Sequence, residues 1–200
     1  HNLEDVCREG SSIEFSLDTI GKGMDELSKT WGKINNETSL IARFFRAIFE
    51  FMEDLFCTNT APTTVIQSNQ LEYFVNDMLK TFNAVGEYTQ DIIDVVEKLL
   101  TEDSNLISPI IAPHITFAGD LAEVLQNAVK HAAAYNIFIG SRVEIDGDEC
   151  PGMVIQCMKP SVAFHAVAEK ARSVIITSGT LSPMNTFEAE LAEKFPTKIE

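Results

Sequence analysis

Basic residues are scarce in this 200-residue chain. Fifteen Lys and Arg stand against thirty Asp and Glu, for a formal net charge of −15. Residues 51–150 hold sixteen acidic and four basic residues and carry −12 of that total, whereas residues 151–200 hold five of each. An acidic middle repels phosphate, which excludes strong unaided nucleic-acid binding by that stretch. Long apolar runs are missing too. No stretch approaches the ~20 residues that cross a bilayer, so no membrane partner is expected. A charged-then-apolar leader and an initiator Met are both absent, and the chain reads as a piece of something longer. Cysteine is sparse: Cys7, Cys57, Cys150 and Cys157 are separated by 50, 93 and 7 residues. Without a C-x-x-C pair, neither a zinc ribbon nor a local iron–sulfur motif is written here. Reduced, mostly buried thiols are expected, since a chain of this length folds without disulfides. His1, His114, His131 and His165 are scattered, with no H-x-x-x-H pair, so no metal site is expected. No G-x-x-x-x-G-K-[ST] phosphate cradle occurs either. At 45% hydrophobic and 22% charged residues, the composition is that of a globular chain rather than a disordered one.

What is present is mainly helical periodicity. Asn2 to Glu9 has the capping and acidic first turn of a short helix, ended by Gly10-Ser11-Ser12. From there to about Ala134 apolar residues recur at helical spacing. Met24, Leu27 and Trp31 suggest one helix. The longest stripe is Leu40, Ile41, Phe44, Phe45, Ile48, Met52, Leu55 and Phe56. Others run Leu71 to Phe82, Ile92 to Leu100 and Phe117 to Val129. Turn residues break the pattern at Thr58 to Pro62, Asn83 to Gly86 and Asp103 to Pro113. Such stripes are expected to be helix-packing core. Among the few basic residues, Arg43 and Arg46 fall on the long helix, so any DNA binding by this chain should be weak and salt-sensitive.

The character changes near Tyr135. Asn136 to Ile139, Val143 to Ile145 and Met153 to Met158 are strand-like, with Asp146-Gly147-Asp148 as the turn of an antiparallel hairpin. Pro160 suits the start of a helix running to about Ala171. Ser173 to Thr177 is a short β-branched run of the kind buried on both faces of a parallel sheet. The loop Thr177 to Pro183 follows, and Asn185-x-x-Glu188 opens a last helix like a capping box. The expected fold is mainly α: a helical insert, then a β-hairpin and a strand–helix–strand piece of an incomplete parallel α/β domain.

Two runs carry a family resemblance: His1-Asn2-Leu3-Glu4-Asp5-Val6-Cys7, and the stretch SVIITSGTLSPMNTF from Ser173 to Phe187. Together they resemble the XPD-like branch of superfamily 2 DNA helicases, with the ending closer to FANCJ and RTEL-type members than to XPD. His1 looks like the last letter of a DEAH box, and TSGTLSP looks like motif III. Cys157-Met158-x-Pro160-Ser161-Val162-Ala163-Phe164 is similar to the segment leading into that motif.

The resemblance implies a division of the chain. Residues 1–11 would close motif II, 12–134 would be a helical Arch-like insert, 135–158 the hairpin and 159–200 the motif III part of the first motor domain. It implies an ATP-dependent 5′→3′ DNA helicase of repair or genome maintenance, intracellular and, in a eukaryote, nuclear. The implied catalytic residue is His1, and the implied coupling residues are Ser178, Gly179 and Thr180. ATP and Mg²⁺ would be held mainly by residues outside 1–200, and a 4Fe–4S cluster would lie upstream in the parent. Single-stranded DNA or forks would be the substrate, with protein partners at the helical insert. A competing reading, favoured by the acidic middle, is a non-catalytic helical module that docks proteins.

Overall fold

The computed structural model describes residues 11–29, 35–58, 63–82, 85–145, 147–170, 172–175 and 191. Over these the chain is mostly helical, with one small antiparallel sheet. The strands are β1 (Ile13–Ser16), β2 (Thr64–Ile66), β3 (Tyr135–Ile145) and β4 (Asp148–Cys157). The helices are α1 (Leu17–Ser28), α2 (Asn35–Thr58), α3 (Ser68–Met78), α4 (Val85–Thr101), α5 (Ala112–Lys130) and α6 (Ser161–Lys170).

Local chemistry accounts for the helix limits. Ser16 caps α1, its hydroxyl accepting from the Thr19 amide at 3.1 Å, and Asp18 sits in the positive first turn. Pro113, expected within a break, lies in the first turn of α5. There its missing N–H would have had no intrahelical partner anyway. The third apolar stripe is helical only to Met78. Leu79 to Phe82 form the turn that follows, and Leu79 and Phe82 still pack on the core.

The sheet corrects the sequence-based expectation that 12–134 is helical throughout. Its order is β1-β4-β3-β2, so β1 and β2 flank the expected hairpin as its two edges. Ile13 pairs with Ile155 and Ser16 with Gly152, and Thr64 to Ile66 pair with Ile139 to Ile137. Strands of four and three residues are too short to display a period of two against the helical stripes around them. In the hairpin Ile145 faces Asp148, so Asp148 belongs to β4 and two residues make the loop. Gly147 has φ +87°, a conformation that glycine adopts without a Cβ clash.

One face of the sheet is dry. Phe15, Tyr135, Ile137, Ile139, Met153, Ile155 and Cys157 are buried there, in the same core as Phe44, Phe45, Leu71, Ile92 and Leu121 of the helices. Phe117 of α5 ties the layers together. Its ring lies 5.9 Å from Phe15 of β1 and 6.0 Å from Phe45 of α2. Each such side chain taken out of water contributes roughly 1.5–3 kcal/mol. The expectation that the stripes form core holds except at Leu100, which is exposed, and the hairpin shares that core.

Ser12 and Cys157 stand side by side although 145 residues separate them. The Cys157 amide donates to the Ser12 hydroxyl at 2.9 Å, and the Met158 amide donates to the Ala134 carbonyl at 2.6 Å. The strand expected over Ser173–Thr177 is not formed in its described part. Residues 173–175 join no strand, and Ile175 is 86% exposed. A parallel strand needs neighbours to take its N–H and C=O groups, and among the described residues none flanks it. The thiols also differ from expectation. Cys157 is buried, Cys150 half-buried, and Cys57 exposed on the last turn of α2, beyond the core.

Candidate functional site

The residues expected to carry chemistry, His1, Ser178, Gly179 and Thr180, lie outside the described residues, as do Cys7, the helix expected over Asn2 to Glu9, and Trp31. What the structure does describe is the approach to the TSGTLSP run. Cys157 closes β4 against Ser12, and α6 starts one turn later, with the Phe164 amide donating to the Pro160 carbonyl at 3.0 Å. Phe164 is buried. The chain therefore enters and leaves the helical unit at one place, beside the Ser12–Cys157 contact.

A second constellation is only half legible in the sequence. Arg43 and Arg46 stand one turn apart on α2, both exposed. With Ser39 and Ala42 they form one wall of a groove whose other wall is Leu27 and Ser28 of α1. Behind Arg43, Phe82 stacks on Tyr88 with centroids 3.5 Å apart and planes at 11°. The guanidinium carbon of Arg43 sits 5.4 Å from the Phe82 ring, within cation–π range. Tyr88 is buried and donates to the Leu40 carbonyl at 3.2 Å, and burial pushes its phenol above the ordinary value. It is therefore a neutral anchor rather than an acid. The spacing of the arginines is visible in the sequence; the aromatic support and the α1 wall are tertiary.

Four lysines of the outer helix faces behave differently. Lys22, Lys29, Lys80 and Lys98 each meet a carboxylate: Asp18, Glu26, Asp77 and Glu37. The Lys98–Glu37 pair, at 2.9 Å, joins the start of α2 to the end of α4, and the hydrogen bond from Lys98 holds the Glu37 carboxyl below the usual range. Among the described residues, neither Arg43 nor Arg46 has such a partner.

Among the described residues no three His, Cys, Asp or Glu side chains converge. Cys57 lies on α2, while Cys150 and Cys157 lie toward opposite ends of β4. His131, where α5 ends, is held below its ordinary pKa of 6.5 by burial, with Lys130 and His165 adding to the effect. No helix is long and apolar enough to cross a membrane among the residues described.

Comparison with known proteins adds what these side chains leave open. The whole of this chain aligns with a regulator of telomere elongation helicase 1 homolog from Arabidopsis thaliana, at 23% identity over 220 residues. The XPD helicase subunit of the general transcription and DNA repair factor IIH from Schizosaccharomyces pombe aligns with 94% of it, at 23% identity over 232 residues. The chain is a relative of the XPD-like superfamily 2 helicases. A Fanconi anemia group J protein homolog from Gallus gallus adds 48% identity over a shorter stretch of 44 residues, 22% of this chain and 3% of that protein. No family model matches. This XPD-like relative spans 21% of the plant protein's length and 30% of the yeast one's.

Proposed function

We propose that this chain is part of an ATP-dependent 5′→3′ DNA helicase of genome maintenance, intracellular and, in a eukaryote, nuclear. Similarity to proteins named as helicases, across nearly all of the chain, is the observation that carries the reading. The fold supports it: a helical unit whose ends meet at Ser12 and Cys157 can be inserted between the HNLEDVC run and the TSGTLSP run without separating them. In this reading residues 12–134 and the hairpin 135–158 form the Arch-like insert, which helps enclose single-stranded DNA, and docks protein partners. Residues 1–11 and 159–200 belong to the first motor domain.

Among the described residues, no three His, Cys, Asp or Glu side chains converge. In this reading, which follows from the family resemblance, ATP, Mg²⁺ and the 4Fe–4S cluster are held mainly by other parts of the parent. What residues 176–183 can do is hydrogen-bond. Ser178 and Thr180 carry hydroxyls that donate and accept, and Gly179 permits a tight turn. Such a loop senses a neighbouring nucleotide site without being a base, a nucleophile or a metal ligand. His1 is its partner from motif II.

The test is Thr180→Val in the full-length protein. The change keeps the volume and removes one hydroxyl, a loss of about 0.5–1.5 kcal/mol in a hydrogen bond. ATP affinity should hold, and strand separation should fall further than DNA-stimulated ATPase. A parallel loss of both activities that tracks the folded fraction would overturn the coupling role. Residues 1–200 alone should hydrolyse no ATP, and DNA-stimulated turnover by that purified piece would overturn the division of labour.

A further inference from the structure

The corner between α4 and α5 is held by backbone rather than by packing. Leu99 is the last buried residue of α4, and Ile111 is buried just before α5; residues 100–110 between them include none that is buried. Leu100, Leu106 and Ile110 are exposed there, Ile110 by 66%. The Leu106 amide donates to the Asp103 carbonyl at 2.8 Å, and the Ile111 and Ala112 amides donate to the Ser108 carbonyl at 3.1 Å each. A segment with so few buried contacts opens locally at little cost. It also lies far from the place where the chain enters and leaves the helical unit. The 19 residues of α5, at ~1.5 Å each, separate the corner from His131 and the Ser12–Cys157 end by roughly 28 Å.

Ser108 stands in this corner, followed by Pro109. The sequence has two pairs in which Ser or Thr precedes Pro, Ser108-Pro109 and Ser182-Pro183, and the first is the one among the described residues. Ser108 and Pro109 are both exposed. The Ser108 hydroxyl has no partner among the described residues, unlike those of Ser12, Ser16 and Ser28, which bond to backbone amides or carbonyls. Ile107 before it is extended, at φ −87° and ψ 122°, and the proline after it favours extended backbone at Ser108 as well. Ser104 is exposed too, but it sits in a 3-10 turn and precedes Asn105.

An exposed hydroxyl on extended backbone ahead of a proline suits the proline-directed protein kinases. Such a kinase seats the following residue in an apolar pocket that offers no acceptor for a backbone N–H. Proline has no N–H to leave unpaired, and any other residue would bury one. We propose that Ser108 is a phosphorylation site for a kinase of this class. The Ser108 Oγ attacks the γ-phosphorus of ATP. The new P–O bond forms as the bond to the β–γ bridging oxygen breaks, ADP leaves, and the hydroxyl proton passes to the catalytic Asp of the kinase. The product carries about −1.5 to −2 charges at pH 7. With Leu106 two residues before it and Ile110 two residues after, the phosphate turns an apolar corner into an anionic one. The proposal rests on this corner and not on the helicase reading.

The test is phosphate transfer from radiolabelled ATP to the folded 200-residue chain by a cyclin-dependent kinase, with the site mapped by mass spectrometry. The parent should be labelled at Ser108 in its native state. Ser108→Ala should remove that label, Ser108→Thr should retain it, and Ser182→Ala should leave labelling of Ser108 unchanged. Pro109→Ala should slow labelling of Ser108 roughly tenfold or more, the effect of burying one unpaired N–H. Circular dichroism and melting temperature of Ser108→Ala should match the parent, since an exposed hydroxyl without a partner is all that it loses. The proposal is overturned if a peptide of residues 101–115 is labelled while the folded chain is not. It is equally overturned if the label falls on Ser182 alone, or if Pro109→Ala is labelled at Ser108 as fast as the parent.

Discussion

At the scale of single residues, two glycines of the hairpin are fixed for different reasons. Gly152 lies where β1, β4 and β3 run side by side, opposite Ser16 and Gly140. A Cβ there would stand 2.8 Å from the Phe15 carbonyl oxygen and press on the Ile145 side chain. Backbone cannot yield as a side-chain tip can, so Gly152→Ala should cost about 1–3 kcal/mol. Gly147 has open space around its missing Cβ but φ +87°. Gly147→Ala should therefore cost about 1–2 kcal/mol through the left-handed backbone alone. Gly147→Asn should cost less, because Asn tolerates that region. Urea denaturation of the three variants separates the two causes; equal losses for Gly147→Ala and Gly147→Asn would show that φ is not the constraint.

His131 gives a pH dependence with a definite sign. Its folded pKa is depressed below 6.5, chiefly by burial. The unfolded chain therefore binds this proton more readily than the folded one. The contribution is fully present above about pH 6.5 and is lost as the pH falls through the folded value. His131→Gln should narrow the gap between melting temperatures measured at pH 7.5 and at pH 5.5. An unchanged gap would remove His131 from the acid sensitivity of the fold.

At the scale of elements, α2 organises the molecule. Its apolar face carries Ile41, Phe44, Phe45, Ile48 and Met52, all buried, and Phe51 meets Phe74 of α3 edge to face at 5.1 Å. Gly23 lets α1 approach this face, since a Cβ there would meet the Phe45 ring at 2.6 Å. The opposite side of α2 keeps Arg43 and Arg46 in water beside the α1–α2 groove. A single helix thus supplies both the packing that rigidifies the groove and its charge. The periodicity of α2 and α5 was legible because both are long enough to repeat an i, i+3, i+4 pattern several times. β1 and β2 were not legible: their pairing depends on the hairpin far along the chain, and nothing within four residues encodes it.

At the scale of the whole molecule, β1 returns the start of the helical unit to its end. The sheet, not the helices alone, closes the insert, because β1 pairs with β4 and Ser12 takes the Cys157 amide. The core gathers residues from Phe15 through Cys157. Residues 11–158 expressed alone should therefore unfold in one cooperative transition, with helical circular dichroism. A version cut at residue 134 would lack β3 and β4, and with them much of the apolar face that covers Phe15 and Phe117. It should melt without a cooperative transition. Equal cooperativity of the two pieces would mean that the helices fold independently of the sheet.

The sequence by itself determined the helical stripes, the place of the hairpin turn and the family relationship. These are local patterns or contiguous motifs, and a repeat of 3.6, an Asp-Gly pair or a run such as TSGTLSP is complete within a few residues. Only the tertiary structure decided that two further strands complete the sheet, that Cys57 is exposed, and that Arg43 and Arg46 meet Ser28 and Leu27 of another helix across a groove. Strand pairing, burial and the company of a charge depend on residues brought together from far along the chain, and no local pattern specifies which neighbour will arrive.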